Sequence, residues 1–479
     1  MQNLTILEQS RAEIISEITN STAVDLVVIG GGIHGACFAR LAAESGLKTV
    51  LLEKSDYASG TSSRSSKMAH GGLRYLELLD FEQVFEGVKC REQLFEQYPD
   101  LVKPHPFYIP IPAKDWFLRL KLKLGLTLYD LMLKASSHKH FWVNKSDIAR
   151  SVPELSKQKL LGCYCYTDGI LDDCKLVMAN ILKARLSNAL CLNYAAVTKL
   201  SKQLENGLRE ISWQDQLTNK TYQINAKSVV NCCGPWANNF CNASIKYSRG
   251  SHILFSRPWT GPALFLPMPG KARYYFVWPH FTGTLVGTTE REVSSLQDNP
   301  EPSPDEIQEI LDRLAKDLPD SKLDRSHAHY AFAGIRTLPL RLGAKNTAQL
   351  SRKHIWLQDQ NLFSLVGGKL TTAEWTAQEG LSKILKLLKH TPAQAKKNYD
   401  LNLISLMPLA QQLKVEQVAT VEDYLRRRSG LEYMPGNGLN ELEVLRNDLE
   451  QHLGIATTNI QIEAYKTRLA RISEILGKN

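Results

Sequence analysis

Gly30, Gly32 and Gly35 follow a G-x-G-x-x-G spacing, and Glu53 closes the next apolar run. Glycines so spaced let a chain turn tightly out of a strand and bring main-chain N–H groups against a pyrophosphate at a helix N-terminus. A carboxylate about 20 residues further on accepts from the hydroxyls of an adenosine ribose. It also repels a 2′-phosphate, which disfavours NADP. Beyond Glu53 the chain is rich in small hydroxyl residues: Thr61, Ser62, Ser63, Ser65 and Ser66, among Gly60, Arg64, Lys67, His70, Gly71 and Gly72. Such a run makes a poor core and a good polar cradle, whose hydroxyls and N–H groups bind phosphates and the polar edge of a ring. It leads into Leu73, Tyr75 and Leu76, which are residues of buried type.

This chemistry needs a strand–helix–strand frame, and the flanking residues supply one. Asp25 to Ile29 reads as a buried strand. His34 to Ser45, with Ala36, Ala39, Ala42 and Ala43, reads as a helix closed by Gly46. Lys48 to Glu53 is the second strand. Ser228 to Trp236 reads as a further buried strand ending in a turn at Gly234. Between about 250 and 295 three strand patterns follow one another, predicting an antiparallel sheet. Asn361 to Val366 is again a strand, followed by Gly367-Gly368-Lys369-Leu370-Thr371-Thr372 and a helix to about Lys389. The expected class is α/β. A discontinuous nucleotide domain (24–75, 160–240, 335–390) carries an inserted sheet-based substrate domain (76–159, 241–334). A helical extension (1–23) precedes it, and a helical domain (391–479), broken at Pro435-Gly436-Asn437-Gly438, follows.

The 479 residues include 58 Lys and Arg against 49 Asp and Glu, a net charge of +9. That excess suits an anionic substrate or an anionic membrane surface. Without a basic tract interleaved with aromatics, nucleic acid is not an expected partner. The nine cysteines show no zinc or redox spacing, so reduced thiols in a cytoplasmic protein and no metal site are expected. The first twenty residues lack the basic start and apolar core of a signal peptide, and no apolar run reaches the length of a membrane span. Residues 114–140 mix Trp116, Phe117 and eight leucines with Arg119, Lys121, Lys123 and Lys134. Two readings stay open: a surface dipping into lipid headgroups, or a core helix whose lysines snorkel to solvent.

The stretch from Asp25 to Glu77, with its TSSxSSK…HGGLRYLE pattern, resembles the FAD-dependent, quinone-linked glycerol-3-phosphate dehydrogenase family. The likeness continues through Tyr166–Val177, Gly234-Pro235-Trp236, Arg249–His252, Val286–Thr289, Ala333–Arg336, Ser351–His354 and Gly367–Thr372, covering roughly residues 24 to 385. It implies a glutathione-reductase-like FAD domain of the DAO type with an inserted antiparallel-sheet substrate domain and a C-terminal helical domain. It also implies oxidation of sn-glycerol 3-phosphate to dihydroxyacetone phosphate. Electrons would pass to membrane quinone, at the inner face of the cell membrane, or to O₂ in the related oxidases. A homodimer stays open.

By the same resemblance, cofactor binding falls on Gly30, Gly32, Gly35, Glu53, Thr61, Ser62, Ser63, Ser65, Ser66, Lys67, Gly71, Gly72, Gly234, Gly367, Gly368, Lys369, Leu370, Thr371 and Thr372. Substrate binding falls on Arg74, Tyr75, Arg336, Arg352 and Lys369, because a phosphomonoester dianion needs several fixed cations. His252, Arg336 and His70 are the expected catalytic residues, with His252 the base and His70 on the flavin side. The helix opened by Gly367-Gly368-Lys369 would turn its positive end toward the reduced flavin's N1–C2=O locus. Ala373-Glu374 replaces a common Tyr-Arg, Lys175 a common Arg, and Arg249 a frequent Lys; the chain after about 391 resembles the family only faintly. These departures keep three alternatives open: an oxidase of another small hydroxy or amino substrate, a paralogue with a shifted substrate, and a flavin-bearing interaction protein without turnover.

Overall fold

The computed structural model describes residues 4–73, 80–131, 138–268, 273–340, 353–393 and 399–478. Two sheets carry the chain. The first has eight strands, six of them in the order Ile355–Asp359, Leu362–Val366, Thr221–Asn231, Val24–Ile29, Thr49–Leu52, Leu190–Leu192. Ala195–Leu200 and Arg209–Asp215 join Thr221–Asn231 as an antiparallel meander. The five strands from Leu362–Val366 to Leu190–Leu192 run parallel. Val24–Ile29 is covered on both faces, which is why Leu26 to Ile29 is a continuous apolar run rather than an alternation. Leu26 and Val28 pack with Phe38, Ile181 and Ile384 of the helices Ile33–Glu44, Asp173–Leu186 and Ala373–Leu388. Val27 and Ile29 pack the other way, with Trp213 of the meander and Ile14 and Ile18 of the helix Arg11–Thr19.

The second sheet is larger than the pattern at 250–295 predicts. Eight of its ten strands run in the order Arg291–Val293, Ile245–Phe255, Gly283–Gly287, Arg273–His280, Ala263–Met268, Val102–Pro112, Leu160–Leu171, Met68–Ala69. Ala328–Pro339 and Phe141–Val143 add to it from the side. All pairs are antiparallel except Ala263–Met268 with Val102–Pro112. Leu160–Leu171, expected at the start of a cofactor segment, pairs in this sheet instead. Its partner Met68–Ala69 belongs to the hydroxyl-rich loop, so that loop is stitched to the second sheet with Ala69 opposite Gly169.

The helix Trp116–Leu131 has one packed and one exposed apolar face; residues 132–137 of the 114–140 segment lie outside the described residues. One face, Leu118, Leu122, Leu126 and Tyr129, packs onto the core of the second sheet. The opposite face, Phe117, Leu120, Leu124, Leu128 and Leu131, is exposed, Phe117 to 79% and Leu131 to 80%. Among the described residues no helix is long and apolar enough to cross a membrane.

The C-terminal region is helical, ending in Leu439–Leu453 and Ile455–Ile475. It is tied to the first sheet through the buried Asp56, which accepts from Arg427 Nε at 2.6 Å and Arg428 Nη2 at 2.7 Å.

Candidate active site

A cavity of about 770 Å³ opens between the carboxyl ends of Val24–Ile29 and Thr49–Leu52 on one side and the second sheet on the other. Its size suits a cofactor with a small substrate. Ligands in open α/β sheets bind at this end of the strands.

The glycine turn is built for close approach. Gly30 has φ +104°, and a Cβ there would stand 2.7 Å from the Cys232 carbonyl oxygen. A Cβ on Gly35 would stand 1.8 Å from the Gly30 carbonyl oxygen, so the helix Ile33–Glu44 lies on its strand only because that atom is missing. The Ile33 N–H donates to Ser62 Oγ at 2.9 Å, which draws the hydroxyl-rich loop onto the helix N-terminus. Glu53 accepts from Gly31 N at 2.6 Å and Ser55 N at 2.8 Å. Burial pushes its carboxyl up, and those two N–H groups oppose the rise.

The hydroxyl-rich loop divides. Thr61, Ser62, Arg64, Ser65, Ser66, His70 and Gly72 line the cavity. Ser63 and Lys67 do not: Ser63 is fully buried, and Lys67 donates to Asp173 Oδ1 at 2.6 Å, its ammonium 4.7 Å from the Tyr433 ring centre. Gly35, Gly71 and Thr372 also lie behind the cavity wall, whereas Gly234, Gly367, Gly368, Lys369, Leu370 and Thr371 are in it. Gly367 and Gly368 have φ +80° and +96°, and a Cβ on Gly368 would meet His34 Nε2 at 2.6 Å. His34 was not singled out by sequence. It lines the cavity, and its buried ring is pushed down to about 3, first by burial and then by His354.

Both expected histidines reach the cavity, in different states. His252 is 1% exposed, stacked on Phe332 with ring centres 5.0 Å apart, and its Nε2 is 3.1 Å from Ser66 Oγ. Burial, with Arg336 and Lys67 nearby, holds it well below the ordinary histidine range, so it is neutral. His70 has a side chain 38% exposed, and its Nδ1 lies 3.5 Å from Asp168 Oδ2. Strand pairing explains the contact, since Ala69 opposite Gly169 brings the next residue of one strand beside the preceding residue of the other. Arg336 Nη2 donates to Thr288 Oγ1 at 2.8 Å, and Lys369 Nζ donates to Gln83 Oε1 at 2.8 Å. Arg74, Tyr75 and Arg352 lie outside the described residues.

Glu374 points away from the chemistry. It does not line the cavity, and it pairs with Arg40 at 2.7 Å. Sequence reasoning also missed the tail's share in the site. Thr420, Glu422, Arg427, Gln461 and Tyr465 line the same cavity as Glu53 and Lys54.

A family profile described as FAD dependent oxidoreductase matches residues 25–378. The chain belongs to that family. The oxidoreductase is 34% identical over 403 residues to a glycerol-3-phosphate dehydrogenase of Synechocystis sp., covering 78% of this chain and 72% of that one. It is 31% identical over 398 residues to an aerobic glycerol-3-phosphate dehydrogenase of Staphylococcus aureus, covering 80% and 71%. In fold it matches the glycerol-3-phosphate dehydrogenase of Bacillus halodurans in complex with FAD, with a TM-score of 0.74, 22% identity and 98% coverage of both chains. The FAD-bound L-α-glycerophosphate oxidase of Mycoplasma pneumoniae matches with a TM-score of 0.63, 15% identity, and coverage of 80% and 99%. FAD is the cofactor of this oxidoreductase. The tight turn that the missing Cβ atoms at Gly30 and Gly35 permit, with Gly30 and Gly32 lining the cavity, and the Glu53 carboxylate at the strand end fit its pyrophosphate and ribose.

Proposed function

We propose that the enzyme oxidises sn-glycerol 3-phosphate to dihydroxyacetone phosphate and passes the electrons to quinone, docked peripherally on an anionic lipid surface at the inner face of the cell membrane. The names of its relatives support the substrate. The observation that carries the reading is that His70, Arg336 and Lys369 open onto one cavity with the glycine turn and Glu53. FAD, held by Gly30, Gly32, Glu53, Ser62 and the Gly367–Thr371 turn, supplies the hydride acceptor when bound. Arg336 and Lys369 take the phosphate dianion and fix the substrate's orientation. As the hydride leaves C2, the hydroxyl proton must leave as well. His70 Nε2 receives it, because His70 is open to the cavity and has a carboxylate behind its other nitrogen. His252, expected as the base, reaches the cavity but is 1% exposed, stacked on Phe332, and its Nε2 holds the Ser66 hydroxyl.

The exposed face from Phe117 to Leu131, with Lys121 and Lys123 exposed beside it, favours lipid as the route to the acceptor. The test is anaerobic mixing of the FAD-loaded protein with sn-glycerol 3-phosphate, followed by flavin absorbance. Rapid bleaching, with reoxidation by a quinone analogue faster than by O₂, is expected. No bleaching in a protein that dithionite still reduces would overturn the substrate. Preferential reoxidation by O₂ would overturn the acceptor and favour an oxidase.

A further inference from the structure

We propose that Asp168 is a positioning residue for this reaction, holding His70 with Nδ1 turned inward and Nε2 turned to the substrate hydroxyl. The inference rests on His70 being the base, as read above. Asp168 is 1% exposed and receives three donors on a single oxygen. Oδ1 accepts from Gly71 N at 2.8 Å, Arg91 Nη1 at 2.9 Å and Tyr129 Oη at 3.1 Å. Oδ2 faces His70 Nδ1 at 3.5 Å, within reach of a hydrogen bond once substrate tightens the site. A carboxylate kept only to neutralise Arg91 has no need of that asymmetry, because Arg91 also pairs with Glu92 at 2.7 Å.

The packing around it leaves little freedom. A Cβ on Gly71 would stand 1.7 Å from Tyr129 Oη, and one on Gly87 would stand 2.8 Å from the Gly71 carbonyl oxygen. The His70 N–H donates to Thr371 Oγ1 at 3.1 Å, and its ring lies 5.5 Å from that of Phe276. Burial pushes the Asp168 carboxyl up, but His70, Arg91 and the Gly71 N–H outweigh it and hold it below the ordinary carboxylate value. The carboxylate therefore stays an anion. When Nε2 takes the hydroxyl proton and C2 gives up its hydride, the carbonyl forms and an imidazolium remains, facing Asp168. No proton moves to Asp168; it fixes the tautomer and stabilises the cation. Tyr129 belongs to the helix whose outer face is exposed, so the lipid-facing element and the base share one hydrogen-bond network.

A double-mutant cycle tests this on the FAD-loaded protein, with His70→Asn, Asp168→Asn and the pair. The readouts are the anaerobic rate of flavin reduction and the substrate dissociation constant. Asp168→Asn is expected to slow reduction by about 10²- to 10⁴-fold while substrate affinity stays within about 3-fold. In the His70→Asn background it is expected to slow reduction no further. An equal slowing in both backgrounds would overturn the proposal in favour of a structural role for Asp168. Unchanged reduction in His70→Asn alone would overturn the base assignment, and the inference with it. Should Asp168→Asn fail to fold, Tyr129→Phe keeps the carboxylate and removes one donor. A loss of a few-fold confined to the His70-containing background supports the proposal, and an equal loss in both overturns it.

Discussion

Replacing Arg336 with leucine removes a cation and its donors from the cavity while leaving the strand Ala328–Pro339 intact. The guanidinium is aimed by its surroundings. Nη2 donates to Thr288 Oγ1 at 2.8 Å, and Nη1 lies 3.5 Å from the Thr289 carbonyl oxygen. It rests over Gly250, where a Cβ would stand 2.4 Å from Nη2. A charge-assisted hydrogen bond of this kind contributes about 1.5–3 kcal/mol. At about 1.4 kcal/mol per decade, Arg336→Leu should weaken binding of sn-glycerol 3-phosphate roughly 10- to 150-fold. The assay is the saturation of anaerobic flavin reduction with substrate, with bound FAD checked by absorbance. Arg336→Lys should recover part of the loss, since it keeps the charge without the planar fork. Gly250→Ala should reproduce part of it with Arg336 still present, because the added methyl displaces the guanidinium. An unchanged dissociation constant in Arg336→Leu would refute the phosphate role. A fall in the limiting rate at unchanged affinity would refute it equally, by placing Arg336 at the reacting carbon.

Gly35→Ala should yield protein with little bound flavin, read from the visible-to-ultraviolet absorbance ratio, because its methyl would stand 1.8 Å from the Gly30 carbonyl oxygen. Acid should undock the tail. Burial pushes the Asp56 carboxyl up, but Arg428 and Arg427 outweigh it and hold it below its ordinary value. The stabilisation is thus present above the unfolded value near pH ~3.9 and is lost as pH falls through the folded one. Asp56→Asn should cost about 3 kcal/mol in urea unfolding at pH ~7, the lower end for a broken buried pair, because Arg427 keeps Asp423. Leu120→Asp with Leu124→Asp should lower partitioning to anionic vesicles roughly 100-fold, at about 1.5 kcal/mol or more per leucine. Flavin reduction by soluble substrate should be unaffected by that pair.

The βαβ unit was legible because each of its requirements is local. Val24–Ile29 is buried on both faces and reads as an apolar run, and only glycine fits at positions 30 and 35. The contacts that complete the site are not local. Asp168 is one acid in a long strand until pairing of Ala69 with Gly169 sets it beside His70, about a hundred residues away in sequence. Ser63 and Lys67 share the composition of their cavity-lining neighbours, and only the fold shows that Asp173 claims Lys67. The segment around Trp116 defeats a periodicity reading for a different reason. Both of its faces are apolar, one packed and one exposed, so no single stripe stands out.

Two of the departures from the resemblance, Glu374 and the tail, have separate physical explanations. Glu374 looks like an anion where a cation is usual, yet it faces Arg40, which also donates to Asn180 Oδ1 at 2.8 Å. Its charge is spent between the helices Ile33–Glu44 and Ala373–Leu388. The tail resembles the family only faintly, yet it is anchored. Arg426, Arg427 and Arg428 are all buried, and Asp56, three residues after Glu53, anchors two of them. Tyr194 Oη, donating to Asp423 at 2.8 Å, makes a second tie from the same side. A tail fastened there holds the loop that follows Glu53, so on the proposed ribose role of that carboxylate its loss should weaken FAD binding before it alters substrate choice.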